Sequence, residues 1–402
     1  MTRYVIIGAG EAGTRAALAL QGQGKVTLIG GENHAPYERP PLSKPNPEGV
    51  IRKPIANEGT LGDVTFRPGT IAVAIDRAAK LVHLSNAETL AYDRLLLATG
   101  ASPRSLTCPG GEHALVLRDF EDAQAIFLRA ESAKRAVVVG AGLIGLELAA
   151  VLREKGLDVT VVEAGTRAVA RALPSVMADM LVQKHRAEGV AFRFDAQVSH
   201  ISRDSVQLAD GELLSADLIV AAIGVTPNTA IAEAAGLRCA NGIQVSANLK
   251  TDDPNIFAAG DCACVDHPIY GQIRFEAWRL AIEMGTAAAA AMTGTDVEFG
   301  ALPWFWSDQY ELGLQMAGLH NPLNIGVLRE AGSVTFSFQM DQAGHLVAAA
   351  GLGPGNAVAR DIKLAERMIQ FRIRPDPLKL GDAVVPLKTL LRDAYAPRGV
   401  RG

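Results

Sequence analysis

Short apolar runs rich in Val and Ile alternate with Ala- and Leu-rich stretches of helical period through roughly the first 300 residues. That rhythm predicts parallel strands joined by crossover helices. A strand over 4–7 enters a glycine-rich turn and a helix over 14–20. The same order recurs with a strand over 136–139, a glycine turn, a helix over 146–152 and a strand over 159–162. Features of the first set return near Asp261, which reads as a second unit inserted into the first. After Gly300 the texture changes. Residues 334–339 and 346–350 have the pattern of antiparallel strands and 359–371 that of a helix, a separate α+β part. The glycine motif is the only repeat.

Each turn carries candidate chemistry. In Gly8-Ala9-Gly10-Glu11-Ala12-Gly13 the glycines serve a tight turn, the approach of a pyrophosphate and helix-to-strand packing. The amide N–H groups at the helix start then face a diphosphate. Gly140-Ala141-Gly142-Leu143-Ile144-Gly145 repeats the pattern, and Glu163 follows Gly145 by 18 residues, at the end of the next strand. A carboxylate there accepts from adenosine ribose hydroxyls and repels a 2′-phosphate, so NADH is expected over NADPH. Arg167 tempers that preference, because an arginine can accept the phosphate. Two dinucleotide sites in one chain imply a hydride carrier facing an electron acceptor.

Composition narrows the class. The 402 residues are 49% hydrophobic and 20% charged, as in a globular protein of two to three domains. A net charge of −4 argues against a nucleic-acid partner. No apolar run reaches membrane-spanning length. The start, Met1 directly into a strand, has no signal-peptide pattern, so a cytoplasmic location is expected. The cysteines are Cys108, Cys239, Cys262 and Cys264, none at zinc or Cys-x-x-Cys spacing, and no histidines pair at metal spacing. No metal site is expected.

Four further stretches carry a family resemblance: Tyr37-Glu38-Arg39-Pro40-Pro41-Leu42-Ser43-Lys44, Leu97-Ala98-Thr99-Gly100, Ala258-Ala259-Gly260-Asp261-Cys262-Ala263, and Pro303-Trp304-Phe305-Trp306-Ser307-Asp308-Gln309. Over its whole length the chain resembles the FAD-containing, NADH-dependent ferredoxin reductases of bacterial oxygenase and cytochrome P450 systems, the putidaredoxin and rubredoxin reductase group. The resemblance implies a glutathione-reductase-like α/β fold: two Rossmann-type dinucleotide-binding domains plus a C-terminal α+β interface domain. The expected borders are 1–111 and 236–302 for the FAD-binding domain, 112–235 for the NAD-binding domain and 303–402 for the interface domain. It further implies that Gly8, Gly10, Ala12 and Gly13 meet the FAD pyrophosphate, with Arg39, Thr99, Gly100, Arg118 and Gly260 also on the FAD side. Ala72 would add a backbone contact, Asp261 hold a ribityl hydroxyl, Trp278 border the flavin and Lys44 lie beside its isoalloxazine. On the NAD side stand Gly140, Gly142, Ile144, Gly145, Glu163 and Gly224, with Glu147 near the nicotinamide carboxamide and a Lys44–Glu147 contact expected on domain closure. Where the group carries an aspartate facing the FAD ribose this chain has Gly31, and Glu32, one place on, is the candidate substitute. The stretch between Lys44 and Gly69 is also short for the group.

The implied reaction moves a hydride from NADH to flavin and then single electrons to an acidic [2Fe–2S] ferredoxin docking near the flavin edge and the C-terminal domain. A monomer or homodimer is expected. Disulfide reductases of this fold need a cysteine pair after the first glycine turn, and none precedes Cys108. Cys262 and Cys264 read as packed small side chains. Residues 360–402 hold ten basic and five acidic residues, a net of +5 that leaves −9 on the rest. Plainer readings stand beside these: Asp261 as a helix cap, Lys44 and Glu147 as halves of surface ion pairs, Trp304 and Trp306 as core rather than an electron-exit surface. Two other functions stay open, an NADH:quinone or diaphorase-type oxidoreductase and an interaction flavoprotein of the apoptosis-inducing-factor type.

Overall fold

The computed structural model describes residues 1–46 and 49–395. Two compact units divide the chain, one of Met1–Pro103, Arg118–Phe120 and Val225–Ala301, the other of Arg104–Leu117, Glu121–Gly224 and Leu302–Gly402.

In the first unit a five-stranded parallel sheet runs in the order Ile256–Ala258, Arg94–Leu97, Arg3–Ile7, Lys25–Ile29, Thr65–Arg67. The two strands nearest the glycine turn are exposed only at their first residue, as expected for a sheet covered on both faces. The strand from the later segment pairs Ile256 with Leu95, which is why first-unit signals return near Asp261. Helix Glu11–Ala19 lies against helix Trp278–Met292 at very short range. A Cβ on Gly285 would stand 2.2 Å from the Ala12 carbonyl oxygen, so only glycine permits that approach. A two-stranded ribbon, Ala101–Pro103 with Val225–Pro227, joins the points where the chain leaves this unit and returns. These crossings precede the sequence-based borders at 111 and 236, because the ribbon holds both chain passages to the first unit.

The second unit repeats the parallel architecture in the order Ala191–Arg193, Asp158–Val162, Arg135–Val139, Leu218–Ala221, Leu115–Val116. Val137, Val139, Val162 and Ile219 form its core with Ile201, Val206 and Leu208 from an antiparallel hairpin sheet. The C-terminal part is a five-stranded antiparallel sheet, Trp304–Gln309, Leu312–Gly318, Leu346–Pro354, Val334–Met340 and Ile325–Ala331. Helix Ala359–Gln370 covers it, burying Ile362, Ala365, Met368 and Ile369 at roughly 1.5–3 kcal/mol for each large side chain. This sheet belongs to the same compact unit as the second parallel sheet, and helix Leu143–Glu154 lies against its first strand.

Burial lowers the pKa of His185, His267 and His320 from the usual 6.5, more than their hydrogen bonds restore. Each is then neutral when folded while the unfolded chain takes up its proton first. The stability they contribute is complete above about pH 6.5 and is lost progressively as pH falls from there through the lower folded values. Asp217, held down to about 2 by Arg135 and two backbone amides, acts only in stronger acid. Calorimetry should therefore show Tm falling from pH 6.5 toward 5; a flat Tm over that interval would refute the assignment.

Candidate functional site

Gly8 has φ +110°, and a Cβ there would lie 2.0 Å from the Ala98 carbonyl oxygen; one on Gly13 would lie 1.8 Å from the Gly8 carbonyl oxygen. The second turn repeats both restrictions. Gly140 has φ +106° with Ala222 O at 2.4 Å, and Gly145 meets Gly140 O at 2.1 Å. The outer glycines are thus demanded by the protein itself. The middle ones are not: Gly10 and Gly142 have φ of −76° and −75°, and a Cβ on either would meet no protein atom within 4 Å. Their lack of a side chain leaves open space at the helix N-terminus, the space a pyrophosphate needs to reach the backbone amides. The residues present therefore fit a dinucleotide at each turn.

Around the first turn the sequence candidates form one hydrogen-bonded cluster. Arg118 Nη2 donates to Asp261 Oδ2 at 2.8 Å, and Arg39 Nη1 donates to the Arg118 carbonyl at 2.5 Å. Arg39 Nη2 also donates to Glu32 Oε1 at 2.6 Å, and the Tyr37 hydroxyl donates to the other Glu32 oxygen while accepting from Phe120 N at 2.9 Å. Glu32 thus uses both oxygens to hold Arg39 and Tyr37. Gly260 has φ +79° and approaches the Ala12 methyl. Asp261 leaves the strand Ile256–Ala258, but strand Ala263–His267 follows it rather than a helix, which removes the helix-cap reading and the expectation of a helix there. Thr99 and Gly100 are clamped by Asn228, whose Nδ2 donates to Thr99 O at 2.9 Å and whose carbonyl accepts from Thr99 Oγ1 at 2.6 Å. Ala72 opens an antiparallel strand, next to Ile71, which borders Gly31. Lys44 ends the 3-10 turn Pro40–Ser43, its N–H donating to Pro41 O at 3.0 Å. Pro47 and Glu48 of the following loop lie outside the described residues.

Sequence reasoning missed Glu11. Its carboxylate accepts from Trp278 Nε1 at 3.0 Å and from Arg15 Nε at 2.8 Å, tying the glycine-turn helix to the helix that Trp278 begins. Burial raises its pKa against the lowering by Arg15. Only the i, i+4 spacing of Glu11 and Arg15 was visible beforehand.

At the second turn Glu163 Oε2 accepts from Ala141 N and Oε1 from Gly165 N, both at 2.8 Å, which fixes the carboxylate beside the glycine loop. Arg167 does not reach toward it. Its Nη1 and Nη2 donate to Leu173 O at 3.0 Å and Ala170 O at 2.8 Å. Ile144 is 47% exposed at the helix start, and Gly224 has φ +98° beyond the strand Leu218–Ala221, near the Arg171 guanidinium. Glu147 is only 8% exposed and accepts from Ser307 Oγ at 2.6 Å, so it is no surface residue. Trp304 and Trp306 stack with ring centroids 5.6 Å apart and are half-buried, not core. All four cysteines are free thiols. Cys262 is fully buried and donates to backbone carbonyls, and burial raises the pKa of Cys239, Cys262 and Cys264. Among the described residues no cluster could hold a metal ion, and no helix is long and apolar enough to cross a membrane.

Comparison with known proteins agrees with this architecture. Residues 2–285 match the pyridine nucleotide-disulphide oxidoreductase family, and residues 304–391 match the reductase C-terminal family. Rhodocoxin reductase of Rhodococcus erythropolis is 42% identical over 82% of this chain and 81% of its own. The ferredoxin–NAD(+) reductase component of the anthranilate 1,2-dioxygenase system of Burkholderia cepacia is 37% identical over 96% of this chain and 99% of its own. The crystal structure of the covalent putidaredoxin reductase–putidaredoxin complex superposes with a TM-score of 0.91 at 32% identity, covering 98% of this chain and 99% of the other. The chain is therefore a member of the pyridine nucleotide-disulphide oxidoreductase family, carrying a reductase C-terminal domain and grouping with NADH-using, FAD-containing ferredoxin reductases.

Proposed function

We propose that this protein is the ferredoxin reductase component of an oxygenase electron-transfer chain, holding FAD on the first unit and binding NADH on the second. The observation that carries the reading is the pair of glycine turns, each with a middle glycine that no protein atom requires. Bound FAD supplies the conversion of a hydride donation into single-electron transfers. The chain's own groups bind and orient. The amides after Gly10 and Gly142 receive the two diphosphates, and the Arg118–Asp261 pair presents a carboxylate to a ribityl hydroxyl. The Lys44 ammonium supplies positive charge beside the isoalloxazine, and Glu147 accepts from the nicotinamide carboxamide. The named relatives favour a ferredoxin over a quinone as acceptor.

The partner is an acidic [2Fe–2S] ferredoxin, steered by the basic C-terminal segment. Of its arginines, Arg398 and Arg401 lie outside the described residues. Arg372 is bonded to Asp341 at 3.3 Å, and Arg374 donates to His345 Nε2 at 3.0 Å, so both are held at one surface location. The deciding experiment is NADH-driven reduction of candidate [2Fe–2S] ferredoxins beside direct dye reduction. Ferredoxin turnover should fall steeply with salt while dye turnover stays nearly flat. Arg372→Gln with Arg374→Gln should raise the KM for ferredoxin several-fold and spare that for NADH. Equal salt dependence of both activities removes the C-terminal docking surface.

No thiol takes part. Replacing Cys108, Cys239, Cys262 and Cys264 with Ser or Ala should leave NADH-to-dye turnover within a few-fold. Loss of turnover with FAD still bound would assign a redox role to Cys262 or Cys264.

A further inference from the structure

One buried carboxylate of the second unit ends a chain of hydrogen bonds whose direction is fully determined. Glu147 as a carboxylate can only accept, so the Ser307 hydroxyl, 2.6 Å away, spends its single proton there. Ser307 Oγ must then accept from Gln309 Nε2, at 3.0 Å. That orients the Gln309 amide with its oxygen toward His185, whose Nε2 at 2.9 Å therefore carries the proton. His185 Nδ1 is left as an acceptor and faces the Tyr310 hydroxyl at 3.3 Å. Five side chains thus make four bonds in one sense, from Tyr310 to Glu147.

The chain is built rather than incidental. Ser307, Gln309 and His185 are 1%, 2% and 0% exposed, in a region where an unpaired polar group would be costly. It links helix Leu143–Glu154, helix Ser175–Ala187 and strand Trp304–Gln309. Tyr310 sits in the hairpin turn after that strand with φ +56°, a left-handed conformation rare for a non-glycine residue, and its ring meets His185 edge-on at 5.0 Å. Burial keeps His185 neutral, as the bond order requires.

We propose that Ser307, Gln309 and His185 are positioning residues for NADH binding, acting through Glu147. This rests on the reading of Glu147 as the acceptor for the nicotinamide carboxamide. Ser307 occupies Oε1 and stops rotation of the carboxylate, which presents the group in one orientation before the ligand arrives. The strand supplying Ser307 and Gln309 lies in the C-terminal domain, so that domain takes part in nicotinamide binding as well as in contact with a protein partner.

The test is a double-mutant cycle on the FAD-loaded enzyme, reading NAD+ affinity by calorimetry and the NADH reduction rate in a single turnover. Glu147→Gln alone should weaken NAD+ binding by about tenfold, and Ser307→Ala by about the same factor, with FAD content retained. In the Glu147→Gln background Ser307→Ala should change affinity by less than about twofold, whereas with Glu147 intact Ser307→Thr, which keeps the hydroxyl, should hold the parent affinity. His185→Phe keeps the ring and cuts the chain three bonds from Glu147; it should weaken binding about threefold with the same coupling, and it replaces Ser307→Ala in the cycle if that variant fails to retain FAD. If Glu147→Gln weakens binding while Ser307→Ala does not, or if the two effects add, the chain is packing alone and this proposal fails with the Glu147 reading intact. If Glu147→Gln leaves NAD+ affinity and reduction unchanged, the Glu147 reading fails and takes the proposal with it.

Discussion

Gly145→Ala should slow NADH-driven flavin reduction by at least about 100-fold while FAD stays bound and reducible by dithionite. A methyl at this position would stand 2.1 Å from Gly140 O and 3.3 Å from the Ala222 methyl, so the helix Leu143–Glu154 must shift outward to admit it. The displaced backbone carries the amides proposed to receive the NAD diphosphate, and a misplacement of about 1 Å is enough for a loss of this size. Glu147 rides on the same helix, so the nicotinamide end moves as well. Overpacking by one methyl also costs about 1–3 kcal/mol, visible as a lowered Tm of the second unit. The FAD turn belongs to the other compact unit and keeps its geometry. Gly13→Ala is the mirror experiment. There a Cβ would lie 1.8 Å from Gly8 O, and FAD itself should be lost. A Gly145→Ala enzyme that keeps its NADH rate within tenfold, or that loses FAD instead, would falsify the assignment of the two turns.

NADH should exceed NADPH in kcat/KM by at least about tenfold, or roughly 1.4 kcal/mol. The Glu163 carboxylate is held by two backbone amides, Ala141 N and Gly165 N, and cannot swing away from an incoming 2′-phosphate. Arg167, the cation nearest in sequence, has two guanidinium nitrogens bonded to carbonyls of its own loop, at Ala170 and Leu173. The attraction expected to temper the preference is thereby removed, and the discrimination should lie above the tenfold floor. Glu163→Ala should narrow the ratio toward unity, chiefly by raising the KM for NADH and lowering that for NADPH. Equal efficiency with both nucleotides in the parent enzyme, or an unchanged ratio in the variant, would sink the assignment of Glu163.

Which parts of this were legible beforehand follows from the range over which each rule acts. The glycine turns could be read because part of the constraint is local: Gly13 meets Gly8 O and Gly145 meets Gly140 O within one turn. The contacts of Gly8 with Ala98 O and of Gly140 with Ala222 O come instead from distant segments. Glu163 could be read because a strand of fixed rise carries it a set distance from the second turn. Continuous apolar runs likewise marked the parallel strands, which are buried on both faces, and helical periodicity marked the C-terminal helix, which buries one recurring face. The strand after Asp261 was different. Its partners are Gly242–Val245 and Gly271–Ile273, and that pairing, not any signal within Ala263–His267, makes the segment extended. The Glu11–Trp278 bond joins residues 267 apart, and the Asn228 clamp on Thr99 joins residues 129 apart. The bonds from Ser307 to Glu147 and from Gln309 to His185 span 160 and 124 positions.

The sequence by itself determined where the two glycine-rich turns lie and that Glu163 follows the strand after the second, because turn sterics and strand periodicity act between near neighbours. Only the tertiary structure decided how Arg39, Arg118 and Asp261 join into one cluster, that Arg167 is spent on its own loop, and that a buried chain of hydrogen bonds runs from His185 through Gln309 and Ser307 to Glu147. Those outcomes depend on sheet register and on which helix lies over which strand. A side-chain hydrogen bond forms only within about 3 Å and a narrow cone of angles, so no spacing along the chain can anticipate it.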